Sequence, residues 1–301
     1  MKVTFFGVRG SCPVSGPAFT RYGGNTACVL VEPHGFETKI ILDLGTGLHP
    51  LGDHLDGLDW QLNGQRNLKP LTAKVLVTHL HWDHIQGLPF FPQANREGSR
   101  LEIYGPLQED NSLVRIYHRF MSPPFFPVGV WDLKASISLH GLSGNETLTE
   151  NGVTIKVGVI PHQGGLTLGY RLESDTRSVV YISDHQAPLN WETGYVPESV
   201  LELCKDCDLL IHDAQYSVDE FNQKIDWGHC TYDYALTVAK ASNAKSLALF
   251  HHDPYHSDDQ IDQILASVLE KNDGKLERIY AASEGMSIDL NQHSSILSTS
   301  F

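Results

Sequence analysis

Three imidazoles and one carboxylate fall within six positions in the stretch Thr78-His79-Leu80-His81-Trp82-Asp83-His84. The stretch directly follows an apolar run that is typical of a buried strand. Imidazole and carboxylate are the groups that first-row divalent metals prefer as ligands. Because side chains alternate along a strand, His79 and His81 share one face. Asp83 and His84 lie past the turn and face a second point. The spacing therefore predicts two bound metal ions rather than one.

The alternative is a surface cluster of histidines without a common task. In that case four ionisable groups at the end of an apolar strand would each need a separate partner. Metal binding accounts for all four groups at once, so we favour it.

Strand-like runs dominate the N-terminal half of the chain. Short β-branched or apolar runs that end in glycine-rich turns predict strands over Lys2–Val8, Ala27–Glu32, Thr38–Asp43, Lys74–Thr78 and Leu101–Tyr104. The apolar spacing of Leu107–Phe120 predicts a helix. Between the first two strands lies a long Gly, Pro and Ser segment, and long loops of this kind in compact domains are often functional.

The second half of the chain mixes both types of element. Further strands are predicted over 153–160, 166–172, 178–183, 208–212, 246–250, 277–280 and 286–290, and helices over 197–204, 231–241 and 257–271. The simplest architecture is α/β, with two sheets face to face and helices outside. We expect one domain over residues 1–291 and a frayed polar tail over 292–301.

The composition limits the classes of partner. The 301 residues include 22 Lys and Arg against 36 Asp and Glu, a net charge of −14. Such a surface repels polyanions, so we expect no extended nucleic-acid surface, whereas metal ions could still attract a small anion locally.

There is no run of about 18 apolar residues and no signal-peptide pattern, so we expect no membrane association. The five cysteines are scattered, which favours reduced thiols and a cytoplasmic location.

The pattern H-x-H-x-D-H after a buried strand resembles the signature of the metallo-β-lactamase superfamily. The resemblance extends over nearly the whole chain, because the loop with Gly10 and Tyr-Gly-Gly-Asn-Thr, the turn at Asp43 and the later His and Asp positions follow in the expected order. It implies a four-layer αββα sandwich, with two mixed sheets and helices outside. The fold hosts many hydrolytic reactions, so the motif does not identify the substrate.

The resemblance also implies a set of metal ligands. Seven side chains would hold two divalent ions: His79, His81 and His162 for the first, Asp83 and His84 for the second, Asp184 as a bridge, and His251 as the last. The adjacent His252 competes with His251, since strand alternation allows only one of them to point inward. The alternatives are a loop histidine at position 162 and an ordinary strand-end carboxylate at 184. Zinc suits the histidine-rich first position, while manganese or iron could fill the more oxygen-rich second.

Two further residues resemble parts of this centre. Asp43 resembles a carboxylate that accepts the free ring N–H of a ligand histidine. A turn residue that bonds its own backbone is the alternative. His229, followed by Cys230 and Thr231, resembles the H-x-T motif of the ribonuclease Z branch and would act as general acid, unless it merely flanks a helix. We also expect Asp83 to take part in catalysis.

The ligand set and His229 resemble the phosphodiesterase side of the superfamily, which includes tRNA 3′-end processing enzymes and cyclic-nucleotide phosphodiesterases. We expect hydrolysis of a small phosphodiester, with a 3′,5′-cyclic nucleotide as the leading substrate, by a water that the two ions share. His162 and Asp184 lie only 22 positions apart, where a tRNA-processing enzyme of this branch would carry a long inserted arm. The alternatives are a tRNA 3′-processing-like endoribonuclease and an ester, thioester or lactam hydrolase.

Candidate substrate contacts come from two irregular segments. Asn25 and Arg21 precede the second strand and could touch the substrate, although Asn25 could equally serve the turn. Phe125 and Phe126 lie in the apolar, proline-broken segment 121–131 and could stack on a base as part of a flap. We weight the alternative more heavily: these aromatics pack against the core or against a second subunit, so a homodimer is possible.

Overall fold

Two β-sheets form the centre of the computed structural model, which describes residues 1–57, 69–108, 112–174, 176–291 and 296–298. The first sheet has eight strands and the second has seven. In spatial order, the first contains β15 (Ile296–Ser298), β14 (Met286–Asp289), β1 (Lys2–Gly7), β2 (Cys28–Glu32), β3 (Lys39–Leu42), β4 (Thr72–Leu76), β5 (Arg100–Pro106) and β6 (Ser136–Leu142). The second contains β13 (Arg278–Ala281), β12 (Ser246–Phe250), β11 (Leu209–Asp213), β10 (Arg177–Ile182), β9 (Thr167–Ser174), β8 (Val153–Ile160) and β7 (Thr147–Glu150).

Each sheet combines parallel and antiparallel pairing. Strands β3 to β6 run parallel to one another in the first sheet, and β10 to β13 do so in the second. The other neighbouring strands are antiparallel. Because parallel neighbours end at the same edge of a sheet, each sheet presents one edge of carboxyl-terminal strand ends.

The α-helices of the described residues are short. They are α1 (Leu48–Leu55), α2 (Trp82–Ile85), α3 (Leu113–Phe120), α4 (Glu198–Cys204), α5 (Val218–Gln223), α6 (Tyr232–Ala241) and α7 (Asp258–Glu270). In the part of the chain that the structure describes, none of them is both long and apolar enough to span a membrane.

Strand alternation separates the apolar side chains into layers. In β12, Ala248 and Phe250 point into the core between the sheets, whereas Leu247 and Leu249 pack on the other side among residues of α4, α6 and α7. Residues of α1 and α3 cover the outer face of the first sheet in the same way. The prediction of an αββα sandwich with two mixed sheets and helices outside is therefore confirmed.

One predicted helix begins later than expected. The helix predicted over Leu107–Phe120 starts at Leu113 in the structure. The side chain of Ser112 accepts a hydrogen bond from the backbone N–H of Arg115, which makes Ser112 the N-cap. Residues 109–111 lie outside the described residues.

Several elements have no clear signal in the sequence. Helix α1 contains Pro50 and Gly52, which are poor helix formers, and it is held by the burial of Leu48 and Leu51. Strand β7 is a four-residue edge strand with Leu148 as its single apolar residue, so it lacks the apolar alternation of half-buried strands. Edge strand β6 does alternate, with Ile137 and Leu139 between polar residues, although no strand is predicted there. Residues 296–298 of the expected tail pair with β14 as an added edge strand. The rest of that segment, beyond residue 291, lies outside the described residues.

We expect Tyr170→Phe to lower the free energy of unfolding by about 1–2 kcal/mol. The buried Tyr170 hydroxyl of the second sheet donates to the Val77 carbonyl, just beyond β4 of the first sheet, at 2.6 Å. The substitution removes that bond and leaves a buried carbonyl without its donor. Chemical denaturation measures the change. Tyr255→Phe is the matched control because Tyr255 is 83% exposed. An equal effect of both substitutions would contradict the role of this contact.

Candidate metal centre

Chemistry-bearing side chains collect where the parallel strands of the two sheets end. Asp43 follows β3, Asp213 is the last residue of β11, and His251 follows β12. The segment His79–His84 comes just after β4 and ends in helix α2, and Asp184 lies two residues past β10. Because the sheets pack face to face, these strand ends meet at one end of the sandwich.

Three histidines form the first donor group (His79, His81 and His162). The Nε2 atom of His79 lies 2.8 Å from Nδ1 of His81, and Nε2 of His162 lies 3.4 Å from the same atom. The Oδ2 atom of Asp184 faces them, 3.7 Å from His79 Nε2 and 4.0 Å from His162 Nε2. Ring nitrogens that converge on one point are a ligand arrangement that suits zinc.

A second donor group (Asp83, His84 and His251) lies on the other side of Asp184. The Oδ2 atom of Asp83 is 3.2 Å from Nε2 of His84 and 3.2 Å from Nε2 of His251. The Oδ1 atom of Asp184 is 3.1 Å from His84 Nε2 and 3.5 Å from His251 Nε2. One carboxylate therefore presents one oxygen to each donor group.

The donor groups fit divalent cations. Two buried atoms at their centre, His84 Nε2 and Asp184 Oδ1, make no hydrogen bond even though they lie 3.1 Å apart. Buried polar atoms are rarely left without a partner. A cation between them would satisfy both atoms, and the imidazole and carboxylate donors are those that such ions prefer.

Contacts behind the donor groups fix the ring orientations. Three ring nitrogens that face away from the donor groups each have an acceptor, which selects the tautomer that offers Nε2 to an ion. The pairs are His84 Nδ1 with Asp43 Oδ2 at 2.9 Å, His162 Nδ1 with the Gly228 carbonyl at 2.6 Å, and His251 Nδ1 with Gln215 Oε1 at 2.8 Å.

Asp43 has a backbone conformation that is unusual for a residue other than glycine. Its φ of 60° lies in the left-handed region, where strain commonly marks functional positions. This conformation turns the fully buried carboxylate towards the centre, where it accepts hydrogen bonds from the backbone N–H of Thr78 at 2.7 Å and from the Tyr181 hydroxyl at 2.8 Å. Asp43 thus connects the segment after β4 to strand β10 of the opposite sheet.

His251, and not His252, points into the centre. The His251 backbone also lies in the left-handed region, with φ of 59°, which ends the strand alternation at Phe250. The His252 Nε2 atom instead lies 2.9 Å from the Ala282 carbonyl, and burial together with Arg9 lowers the pKa of His252 to about 3. The His251 ring lies against Gly10, where a Cβ atom would come within 2.4 Å of Nδ1. Only glycine leaves room for the ring at this position.

Burial controls the protonation of the first donor group. It lowers the pKa of His79, His81 and His162. These imidazoles are therefore neutral at neutral pH, which is the form that binds a metal ion.

Charge controls the protonation of the second donor group. Burial opposes the charged form of His84, but the carboxylates of Asp83 and Asp184 outweigh it and raise the pKa of His84 well above its ordinary value. For His251, Asp184 and Asp83 likewise outweigh burial and raise the pKa. The same histidines hold the pKa of both carboxyls well below the usual range, against the effect of burial. Each carboxylate thus keeps its charge and stabilises a proton on the facing ring.

His229 lies beside the donor groups and is held by a residue that sequence reasoning missed. Its Nδ1 atom is 3.1 Å from Oδ2 of Asp213 and 3.6 Å from Oδ2 of Asp184. Asp213 also accepts the backbone N–H groups of His185 and Gln215. With Nδ1–H directed to Asp213, the Nε2 atom of His229 has no hydrogen-bond partner among the described residues. A signal for Asp213 does exist, because it ends an apolar strand just as Asp43 and Asp184 follow one.

The remaining predicted residues have other surroundings. The Asn25 side chain donates to Glu284 at 3.0 Å, and the Arg21 guanidinium pairs with Asp259 and Asp262 at 2.6 Å each. These contacts account for Asn25 and Arg21 without a substrate. The structure does not place either side chain among the donor groups.

Phe125 and Phe126 lie in a groove next to Trp82. Phe126 is partly buried against the core under the first sheet and meets Phe90 edge to face, with 5.8 Å between ring centroids. Phe125 is 74% exposed. Phe126 therefore packs against the core, as the alternative to substrate stacking predicted. Phe125 is exposed and can contact a ligand.

Known proteins resemble this chain in sequence or in fold. Residues 49–252 match the family described as "Beta-lactamase superfamily domain". A ribonuclease Z from Sulfurisphaera tokodaii is 28% identical over 242 residues, which cover 70% of this chain and 80% of that protein. The fold resembles that of the metallo-beta-lactamase fold protein YhfI from Bacillus subtilis, with a TM-score of 0.67, 17% identity and coverage of 96% and 99% of the two chains. It also resembles unliganded yeast PDE1, with a TM-score of 0.62, 16% identity and coverage of 95% and 98%.

We expect His251→Ala to lower the metal content from about two ions per chain to about one, because the second donor group loses one of its ligands. His252→Ala is the matched neighbour and should keep both ions while it destabilises the fold, since it removes the bond to the Ala282 carbonyl. Elemental analysis after dialysis against zinc measures the content. Loss of an ion from His252→Ala and not from His251→Ala would overturn the assignment.

We also expect zinc binding to the metal-free protein to release protons at about pH 6.5, and to release fewer as pH rises through the raised pKa values of His84 and His251. Below their raised pKa values, His84 and His251 carry a proton that they must lose before they bind an ion. The affinity of the second donor group therefore rises as pH rises towards those values. Calorimetric titration in two buffers of different ionisation enthalpy counts the protons. No proton release at the lower pH would contradict the expectation.

Proposed function

We propose that this chain, which belongs to the beta-lactamase superfamily and is a metal-dependent hydrolase, cleaves small phosphodiesters at a dinuclear centre. The observation that carries the proposal is the Asp184 carboxylate between two donor groups, with the His229–Asp213 pair beside it. Such a layout suits a reaction in which a water attacks phosphorus on one side and an alkoxide leaves on the other.

One ion would be held by the first donor group, His79, His81 and His162. The other would be held by the second donor group, Asp83, His84 and His251. Asp184 would contribute a ligand to each ion. When bound, two divalent cations lower the pKa of a nearby water and neutralise the charge that grows on the phosphoryl oxygens. The three imidazoles of the first donor group favour zinc, and the oxygen donors of the second also accept manganese or iron.

The chain's own carboxylates would position the attacking water. Asp83 and Asp184 are buried and keep their negative charge, because the neighbouring histidines lower the pKa of both groups. The backbone N–H of Ser11 donates to Asp83 Oδ2 at 2.8 Å, which fixes this carboxylate. A held carboxylate oxygen that keeps its charge can accept a hydrogen bond from the water and orient it for attack, which is the catalytic part that we assign to Asp83.

His229 would protonate the leaving oxygen. Asp213 binds the Nδ1 side of the ring and fixes its orientation, so Nε2 is the atom that can carry a proton to the substrate. His229 is the catalytic residue in this step, and Asp213 is a positioning residue that acts through it.

Two observations support a small substrate, for which a 3′,5′-cyclic nucleotide is the leading candidate. The chain from His162 to Asp184 contains the whole of β9 and of β10 as an antiparallel pair, so its described residues form a compact hairpin and not an extended arm. The net charge of −14 opposes the binding of a long polyanion. Cleavage of RNA is the second candidate, because the relatives include proteins named ribonuclease Z.

A substrate panel tests the proposal directly. We expect the zinc-loaded protein to hydrolyse cyclic AMP or cyclic GMP and bis(p-nitrophenyl) phosphate, and a chelator to abolish both reactions. The panel also contains a tRNA precursor, a thioester and a β-lactam. Turnover of the tRNA precursor with no reaction on any small phosphodiester would replace the proposed substrate by the second candidate. Turnover of the thioester or β-lactam alone would refute phosphodiester hydrolysis.

We expect His229→Ala to reduce kcat for an alkoxide-releasing diester by about 10²–10⁴-fold. The effect should be much smaller for a p-nitrophenyl ester, because p-nitrophenolate leaves without a proton. Asp213→Asn should show the same selectivity to a lesser degree. Steady-state kinetics with both substrates measures the difference. His49→Ala, an exposed histidine on α1, is the matched control, and all three variants should keep the wild-type metal content. An equal loss on both substrates would contradict proton donation by His229.

A further inference from the structure

A groove of about 1140 Å³ opens beside the first donor group, and its volume exceeds the ~300–1,000 Å³ usual for small-ligand pockets. We call it the aromatic groove, and its main lining residues are Trp82, Phe90, Phe125, Phe126, Arg115 and Arg119. The groove has room for a ligand larger than a cyclic mononucleotide.

The aromatic groove adjoins the donor groups. Leu80 and Ile116 line it on one side and also line the recess that contains His79 and His81. Trp82 is the residue between two donors of the H-x-H-x-D-H motif. A ligand whose phosphodiester lies at the donor groups can therefore extend into the groove.

Flat apolar surfaces in the groove face solvent. Trp82 is 73% exposed, Phe90 is 63% exposed and Phe125 is 74% exposed. A group of exposed aromatic rings usually marks a binding surface, because rings that are left in solvent contribute little to the stability of the fold. Rings of this size are the platforms on which proteins stack nucleobases.

The charge of the groove is opposite to that of the protein as a whole. Arg115, His118 and Arg119 of helix α3 line it, and no Asp or Glu does so among the described residues. Neither guanidinium makes an ion pair with any described side chain. On a chain of net charge −14, two unpaired guanidiniums in one groove favour an anionic ligand.

We propose that the aromatic groove binds the part of the substrate that is not cleaved, with a nucleobase stacked against Trp82 and Phe125 and a second phosphate at Arg115 and Arg119. The inference rests on the proposed function and narrows it. A 3′,5′-cyclic mononucleotide has a single phosphate, which the donor groups would take. The groove therefore favours a linear nucleotide phosphodiester that carries a further phosphate.

A second copy of the chain is a less suitable occupant. In a two-fold symmetric contact the same patch meets itself, so Arg115 and Arg119 would face the same cations of the other copy. No acidic residue of the groove would neutralise them. An anionic ligand removes this repulsion and uses both the rings and the charges.

The test compares three substrates of the zinc-loaded protein. The linear dinucleotide pApA carries two bases, the diester and a terminal phosphate, and ApA lacks only that phosphate. Methyl p-nitrophenyl phosphate contains the diester without base or second phosphate. The ratio of kcat/KM for pApA to that for ApA reports the second phosphate, and the ratio of ApA to the chromogenic diester reports the bases.

We expect Trp82→Ala and Phe125→Ala each to lower the ApA-to-chromogenic ratio by about tenfold, whereas Trp82→Phe should restore most of it. Arg115→Gln combined with Arg119→Gln should lower the pApA-to-ApA ratio by about tenfold. The matched controls are Trp131→Ala and Arg100→Gln, both exposed and outside the lining of the groove. They should leave both ratios unchanged. Trp82 lies next to metal donors, so the metal content of Trp82→Ala must be measured. If that substitution lowers the metal content, Phe125→Ala alone tests the stacking of the base.

The outcomes separate the inference from the function. If the wild-type protein cleaves the chromogenic diester but the groove variants change neither ratio, the inference is wrong and phosphodiester hydrolysis stands. If it cleaves a cyclic nucleotide but none of the three substrates, the inference is wrong and phosphodiester hydrolysis stands. If it cleaves neither these three substrates nor a cyclic nucleotide, the proposed function falls and the inference falls with it. Sedimentation identifies the remaining occupant: if Phe125→Ala converts a dimer to a monomer without a change in either ratio, the groove is a contact between copies and the inference is overturned.

Discussion

The buried carboxylate of Asp43 is the constraint on which the site depends. It accepts hydrogen bonds from the backbone of Thr78, the ring of His84 and the hydroxyl of Tyr181, so one side chain connects the end of β3, the donor segment after β4 and the opposite sheet. A buried charge is tolerated only when such donors surround it. The same three bonds therefore keep the sheets in register at this end and set the tautomer of a donor histidine.

Much of the fold and of the candidate site could be predicted from the sequence, because both depend on local pattern. Apolar runs identified most of the strands, and chemically distinctive residues directly after them marked the edge where they meet. The H-x-H-x-D-H stretch predicted two separate donor positions, and the structure places a donor group at each. Elements held by tertiary packing could not be predicted in this way. Helix α1, with Pro50 and Gly52 inside it, and the four-residue edge strand β7 are examples.

The finer features of the site depend on distances between remote segments, which no local pattern reports. Asp213 shares its strand-end position with Asp184, but only the fold shows that it holds His229. The choice between His251 and His252 depends on a left-handed backbone at one residue, which strand alternation does not predict. The aromatic groove combines Trp82 from the donor segment, cations from α3 and Phe125 from an irregular segment. The positive charge of the groove cannot be inferred from the composition, because the chain as a whole has a net charge of −14.

The packing of His251 against Gly10 has a consequence for the order of folding. These residues are 241 positions apart, and the neighbouring Ser11 N–H binds Asp83. The second donor group can therefore be completed only after the segment with Gly10 and Ser11 has met His251, a loop closure of high entropic cost. During synthesis on the ribosome, the growing chain must extend to His251 before the centre can form. A chain that stops short of β12 would contain the first donor group but would lack His251 of the second.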